Sequence, residues 1–270
     1  MPELPEVECV RKSLIKHIEG KKISGFSVRN PRLFWTINEE KLKKMIGSTV
    51  CEVTRRAKYI LIRTDKGFLS IHLGITGKVL RQDSGYVPTR HDHLIFHFDE
   101  FILIYNDVRR FGYVEWMDDR TELSVRFSNL GLEPYAPEFN ASYLSLMIKN
   151  KKRSIKEILM DSKIVVGIGN IYANEILFRA RVNPERKCNT LKNDELSAIC
   201  RETKITLAEA IQEGGSSLRD YVDADGKKGR FQEKHLIYSR ASQPCYVCDN
   251  LVTRIIQSGR ATFICTTCQK

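Results

Sequence analysis

No stretch of this chain approaches the roughly 20 consecutive apolar residues of a membrane span, and no internal repeat, low-complexity tract or coiled-coil segment is visible. Those absences leave a globular monomer, with no membrane partner, as the expectation. A secretory signal is not expected either, because acidic residues stand within the first eight positions and no apolar core segment follows. The expected location is therefore cytoplasmic, where thiols stay reduced. Negative charge is also in short supply: 33 Asp plus Glu face 44 Lys plus Arg, a net charge of +11, with a pI near 9.3. That balance fits an anionic polymer as partner, nucleic acid first. With 270 residues the chain can bury a proper core, so size alone calls for no metal.

The cysteines nevertheless supply a metal site. Cys9, Cys51, Cys188 and Cys200 are isolated, whereas Cys245-x-x-Cys248 and Cys265-x-x-Cys268 form two knuckles separated by sixteen residues. In a reducing compartment that spacing predicts one structural Zn2+ held by four thiolates on a β-hairpin, with no open coordination position for chemistry. Between the knuckles, Arg254, Arg260 and Thr262 lie where a hairpin tip could reach a phosphate.

The opposite end offers a nucleophile. The chain begins Met1-Pro2-Glu3-Leu4-Pro5-Glu6, and the small residue behind Met1 permits its removal. Pro2 would then carry a secondary amine with an ordinary pKa near ~8, partly free at neutral pH and able to form Schiff bases. The same residues also suit a plain helix start. Proline favours the first turn, the glutamates complement the helix dipole, and Val7, Val10, Leu14, Ile15 and Ile18 recur at helical spacing.

Between these ends the pattern changes period. Residues 1–117 read as strand-rich after the opening helix, in segments such as 22–28, 50–55, 59–63, 68–73 and 94–98, and imply a β-sandwich or flattened barrel. Residues 118–133 read as a linker, and 134–230 as helical, with a closing loop from Gly214 to Arg230. That loop suits either a mobile tether or a lid over a substrate. Residues 231–270 form the zinc-finger region.

Several clusters could meet nucleic acid. Gly167-Ile168-Gly169-Asn170 precedes a helix whose first N–H groups could bind an anion, near the basic run Lys149, Lys151, Lys152, Arg153 and Lys156. Arg55-Arg56-Ala57-Lys58 enters a strand, His72-Leu73-Gly74 leaves one, and Asp107-Val108-Arg109-Arg110-Phe111-Gly112 follows another. In the last, an aromatic ring could wedge between bases while guanidinium groups hold phosphates. His91-Asp92-His93 reads as a hydrogen-bonding or phosphate-contact segment, since no further metal ligands accompany it.

Six ordered motifs together resemble the formamidopyrimidine-DNA glycosylase family along the whole chain. They are the Met1 to Glu8 start, Arg55 to Tyr59, His72 to Gly74, Arg109 to Gly112, Gly167 to Ala173, and Gly259 to Phe263 with the four cysteines. The resemblance implies an α+β multidomain fold: an N-terminal β-sandwich with its leading helix, a helix-two-turn-helix domain and a C-terminal zinc ribbon, with DNA in the cleft between them. It implies a bacterial-type, nucleoid-associated repair enzyme, bound to double-stranded DNA with oxidised purines or abasic sites. The implied activity is a bifunctional glycosylase and AP lyase that removes 8-oxoguanine and formamidopyrimidines.

By the same resemblance, Pro2 is the nucleophile, Glu3 the general acid and base, Lys58 a support for base loss and elimination, and Arg260 the residue of the later elimination. Arg109 and Phe111 would fill the vacated stack; His91, Arg110, Lys151, Asn170, Tyr238, His72 and Lys156 would grip DNA. The Gly214 to Arg230 loop would close over an everted base. The sequence departs from the family pattern at Ile75 (usually Met), Val108 (Pro), Asn174 (Asp) and Ser239 (Gly); none removes a proposed catalytic group. Two alternatives differ in what they require: the endonuclease VIII class, which prefers oxidised pyrimidines, and a DNA-binding module without catalysis. Leu4 and the Arg109 to Gly112 turn favour the purine branch, and an intact Pro2, Glu3 and Lys58 set argues against lost catalysis.

Overall fold

The computed structural model describes residues 1–270 and divides into two compact units. The first unit comprises 1–128 and 213–230; the second comprises 129–212 and 231–270.

In the first unit, α1 (Leu4–Ile18) starts at Glu3, where a reciprocal capping box with Glu6 satisfies helix-end N–H groups. Val7, Val10, Leu14 and Ile18 form its buried stripe, each adding about 1.5–3 kcal/mol relative to exposure. Two four-stranded antiparallel sheets receive that stripe. One has the order β1 (Gly25–Val28), β6 (Asp92–His97), β7 (Phe101–Asn106), β5 (Lys78–Asp83); the other runs β2 (Val50–Arg56), β3 (Tyr59–Thr64), β4 (Phe68–His72), β8 (Tyr113–Met117). Val53, Ile60, Ile71, Leu94, Phe96, Leu103 and Trp116 from both sheets share one core with α1. This is the expected sandwich with its leading helix.

A short helix, α2 (Glu39–Lys43), precedes β2, and α3 (Arg120–Phe127) follows β8. The segment read as a linker from 118 onward is therefore partly helical. Asp119 caps α3 by accepting from Thr121 N and Glu122 N. None of the α3 residues is buried, and that lack of an apolar stripe hides the helix from periodicity.

The second unit carries α4 (Ala141–Ile148), α5 (Ile155–Leu159), α6 (Asn170–Arg179), α7 (Asn193–Gln212) and the hairpin β9 (Thr253–Gln257) and β10 (Arg260–Ile264). Ser154 and Glu157 close a second capping box at α5. On α7 the buried residues are Leu196, Ile199, Cys200, Thr203, Thr206, Leu207 and Ala210, while Ile205 faces outward. No helix is long and apolar enough to cross a membrane.

The loop at 213–230 groups with the first unit, whereas the sequence reading attached it to the helical segment that precedes it. The reason lies in contacts spanning about the whole chain. Glu6 Oε1 accepts from Ser216 N at 2.8 Å, Tyr221 Oη donates to the Glu6 carbonyl at 3.2 Å, and Asp225 meets Ser13 Oγ at 3.1 Å and His17 Nε2 at 2.6 Å. Tyr221 and Ala224 are members of the sandwich core. Gly215 has φ +82, and a Cβ there would lie 2.9 Å from Glu6 Oε1, so the close approach to α1 requires glycine.

Candidate functional site

In the first unit, Pro2 is buried just ahead of α1 while Met1 is exposed. Glu3 is only 2 % exposed, and the adjacent Glu6 uses both carboxylate oxygens: one takes Glu3 N at 2.8 Å and the other takes Ser216 N. Glu6 thus joins the chain start to the 213–230 loop. The sequence marked Glu6 only as a helix-dipole partner.

Lys58 is half-buried at the β2–β3 turn, where Ala57 adopts φ 54. Arg55 braces this turn, donating to the Ala57 carbonyl at 2.9 Å and to Glu8 at 3.2 Å. Across the sheet, His72 Nδ1 accepts the Gly74 N–H at 3.1 Å. Burial, with the Lys58 and Arg126 cations adding to it, pushes the His72 pKa down to about 4. The ring is accordingly a neutral imidazole with its proton on Nε2 at physiological pH, a hydrogen-bond donor and not a cation.

The turn after β7 is built on Asp107, which is fully buried. Its Oδ1 accepts from Thr76 Oγ1 at 2.6 Å and Arg109 N at 3.2 Å, and its Oδ2 accepts from Gly112 N at 2.9 Å. Arg110 takes φ 59, and the Arg109 guanidinium lies 4.9 Å from the Phe111 ring centre. Val108, Arg109, Arg110 and Phe111 are exposed, Phe111 at 42 %. The half-buried Ile75 sits in the neighbouring turn. There Gly74 has φ +58, and a Cβ would come 2.4 Å from Gly112 N, so the two turns touch backbone to backbone.

His91 is half-buried and its Nδ1 has no hydrogen-bond partner. His93 Nε2 donates to the Asp107 carbonyl at 2.7 Å. Asp92 accepts from Thr89 N, Thr89 Oγ1, Tyr86 Oη and Asn106 Nδ2. The segment is a hydrogen-bonded brace, and the one cluster suited to a metal is the cysteine set.

In the second unit the four Sγ atoms of Cys245, Cys248, Cys265 and Cys268 lie within 4.8 Å of one another, with Cys248 and Cys265 at 3.4 Å and Cys245 and Cys268 at 3.9 Å. A tetrahedral thiolate cage with Zn–S bonds of about 2.3 Å needs edges near ~3.8 Å, so the donors fit zinc. Asn250 Nδ2 points at Cys248 Sγ from 3.6 Å, as an outer group that steadies a thiolate does. All eight cysteines are free thiols. The zinc holds the hairpin that carries Arg260, and its role is structural.

Arg260 is exposed at the start of β10, pairing across from Gln257 over a Ser258-Gly259 turn with both φ values positive. That turn is strapped to the helices. Ser258 Oγ donates to Glu157 at 2.7 Å, Lys156 Nζ donates to Thr262 Oγ1 at 2.7 Å and the Ala261 carbonyl at 3.1 Å, and Asn170 Nδ2 donates to the same carbonyl at 3.0 Å. Lys156 is 2 % exposed, unlike its neighbours in the basic run. Its ammonium is engaged by the hairpin and does not face solvent, which places it as a strap where the resemblance implied a DNA grip. Lys151 is half-buried. Asn170 opens α6 with its Oδ1 unpartnered, and Gly169 is the N-cap.

Asn174 takes the Phe263 N–H at 2.8 Å and donates to the Asn170 carbonyl at 2.6 Å; an aspartate there could do only the first. Glu175, 0 % exposed, accepts from Leu236 N, Ile237 N and Tyr238 N at 2.9, 3.0 and 2.8 Å. Burial pushes its carboxyl pKa up, against the pull of those three N–H groups. It holds the backbone of Tyr238, whose half-buried ring packs edge-on against Phe263 at 5.2 Å. Ser239 stands at φ 63, a left-handed position that explains the family's glycine. Nothing in the helical pattern distinguishes Glu175, Asn174 or Glu157 from ordinary polar residues, and sequence reasoning missed what they do.

Residues 1–114 match the formamidopyrimidine-DNA glycosylase N-terminal domain, residues 130–222 the H2TH domain of the same glycosylase, and residues 242–270 a zinc finger found in FPG and IleRS. The chain is 42 % identical to formamidopyrimidine-DNA glycosylases of a Wolbachia pipientis strain from Culex pipiens and of Neisseria meningitidis, across the full length of both partners. Among solved structures, a Lactococcus lactis FPG variant in complex with Fapy-dG containing DNA matches with TM-score 0.94 and 33 % identity over all of both chains. The Lactococcus enzyme with DNA containing an oxidised pyrimidine matches with TM-score 0.92 and 32 % identity, again over both whole chains.

Proposed function

The chain belongs to the formamidopyrimidine-DNA glycosylase family, and on that premise we propose that it excises oxidised purines from double-stranded DNA through a Schiff base at Pro2, followed by β- and δ-elimination. As a member of that family it is a DNA repair glycosylase and AP lyase. The observation that carries the finer reading is the chain start: Pro2 and Glu3 are buried at the head of α1 and fixed there by Glu6.

With Met1 removed, the Pro2 nitrogen attacks C1′ of the damaged nucleotide and the bond from C1′ to the base breaks. Glu3 delivers a proton to the ring oxygen, the C1′–O4′ bond breaks to leave a C4′ hydroxyl on the opened sugar, and C1′ becomes the iminium carbon of Pro2. The iminium then draws electrons as the C2′ proton leaves and the 3′ phosphate departs; a second elimination releases the 5′ phosphate, leaving a one-nucleotide gap. Lys58 supports base loss, and Arg260 on its zinc-held hairpin steadies the phosphate in the later elimination.

Reaching C1′ requires turning the nucleotide out of the stack, at a cost of a few kcal/mol. The exposed Arg109 and Phe111 suit the vacated space, with Arg110, His91, Lys151, Asn170 and Tyr238 as backbone contacts. Neutral His72 contributes an N–H to a phosphate and no charge. The 213–230 loop, tied to α1 through Glu6, is the cover over an everted base.

The test is a competition between duplexes carrying 8-oxoguanine opposite cytosine and duplexes carrying thymine glycol, with the ends of the gap analysed. Preferential 8-oxoguanine cleavage leaving phosphate at both ends is expected. A preference for thymine glycol would move the chain to the pyrimidine branch, a reading kept in play by the oxidised-pyrimidine complex of the Lactococcus relative.

A further inference from the structure

We propose that Arg126, on α3, is a positioning residue for the excision step, acting by locking a row of aromatic rings that fixes both His72 and the turn bearing Lys58. The inference rests on the role given to Lys58 above.

The row follows from sheet register. Tyr59 on β3 pairs with His72 on β4, and His72 pairs with Tyr113 on β8, so the three side chains stand side by side on one face. The His72 ring stacks on Tyr113 at 5.2 Å and 15°, and lies 4.8 Å from Tyr59. Arg126 closes over this row. Its guanidinium carbon is 5.4 Å from the Tyr113 ring centre, 5.7 Å from Tyr59 and 4.5 Å from Trp35. Nη2 donates to Tyr113 Oη at 2.6 Å and Nε to Glu115 at 2.9 Å.

Helix α3 buries no residue of its own, and the Arg126 contacts dock it together with the Phe127 ring, edge-on to Tyr59 at 5.0 Å, and the Lys41–Glu122 pair at 3.1 Å. A planar, forked cation suits the task and a lysine does not, since only the guanidinium can lie over rings while donating in its own plane.

Two members of the row adjoin functional positions. Lys58 directly precedes Tyr59, and His72 leads through Leu73 and Gly74 to the Ile75 turn, whose Gly74 N–H is held by His72 itself. Immobilising the rings therefore fixes the direction of the Lys58 turn and of the His72 ring together. The charges near that imidazole are Lys58 on the β2–β3 turn, Arg126 on α3 and Asp107 on the turn after β7; Glu115 and the two tyrosines border it through Arg126 and the row. Burial is the main reason the ring stays neutral, and removing the Arg126 cation takes away one of the two positive charges that add to it.

The test compares wild type with Arg126→Met and Arg126→Lys by two readouts. One is single-turnover excision of 8-oxoguanine alongside DNA affinity; the other is the NMR titration of His72, assigned with a His72→Asn variant. Arg126→Met is expected to slow excision about tenfold or more through misplacement of the reacting groups, with DNA affinity changed far less. Its His72 midpoint should rise. Arg126→Lys, which keeps the charge, should leave the midpoint near wild type yet recover little of the rate. Excision within twofold of wild type in both variants, or a His72 midpoint unmoved in Arg126→Met, would overturn the proposal. The titration decides this even if the wild-type protein fails on lesion DNA, an outcome that would fall instead on the proposed function.

Discussion

Replacing Glu175 should be among the most damaging single changes in the second unit, and its size can be worked from three bonds. Glu175 Oε1 accepts from both Ile237 N and Tyr238 N, and Oε2 accepts from Leu236 N, all away from water. In Glu175→Gln one oxygen survives and can keep two of the bonds without charge assistance, while Leu236 N–H faces an amide NH2. Losing one acceptor costs about 1–3 kcal/mol and weakening two others adds roughly 1–2, offset in part by removing a buried charge, for a net of about 2–3 kcal/mol. Glu175→Leu orphans all three donors and should cost roughly 3–9 kcal/mol.

At roughly 3 °C per kcal/mol, the glutamine variant should melt about 6–9 °C below wild type in the transition of this unit. Calorimetry at fixed pH with zinc present is the assay, and binding to abasic-site DNA reports in parallel on the Tyr238 backbone. A glutamine variant within 1 °C of wild type, with the leucine variant also folded and near-normal, would refute the assignment of Glu175 as the acceptor that holds this segment.

Three further outcomes follow from the same geometry. Chelation should release one zinc per chain and melt the β9–β10 hairpin, abolishing activity, because a small ribbon draws its folding free energy from the metal; full activity in zinc-free protein would contradict a structural zinc. Burial holds His72 and His235 at pKa values of about 4, below the unfolded value near ~6.5. The unfolded chain therefore takes up protons first, so stability is full above pH ~6.5 and falls between ~6.5 and ~4, by up to about 3 kcal/mol for each ring; chemical denaturation across that window checks it, and a flat profile in wild type would sink it. Ile75→Met should speed lesion capture, since a longer and more flexible side chain fills the vacated stack better; equal or slower base eversion in the variant, by stopped-flow fluorescence of a reporter base, would reject the idea.

The features legible in the sequence are those whose partners lie close along the chain. The cysteine knuckles, the opening amphipathic helix, the period change from strands to helices and the Arg109 to Gly112 turn all depend on spacing, and the structure places each as an element or turn. What stayed hidden depends on partners far apart. The 213–230 loop suits tether and lid alike in sequence, and its tie to α1 shows only when Glu6 is seen to hold Ser216. Lys156 looks like one more member of a basic run until Thr262 and Ala261 are found at its ammonium. Helix α3 buries no apolar stripe for periodicity to show, and is docked instead by contacts such as those of Arg126 with rings and hydroxyl. Glu175 could not be told from a solvated helix residue without the three N–H groups arriving from 236–238.

The most direct test of the whole account is borohydride trapping on a duplex with a single 8-oxoguanine opposite cytosine, using protein whose Met1 is shown to be removed and whose zinc is bound. A covalent protein–DNA adduct whose mass and fragmentation map to Pro2 is the predicted result. Absence of any adduct under those conditions, or an adduct mapping to Lys58, would contradict the assignment of the nucleophile.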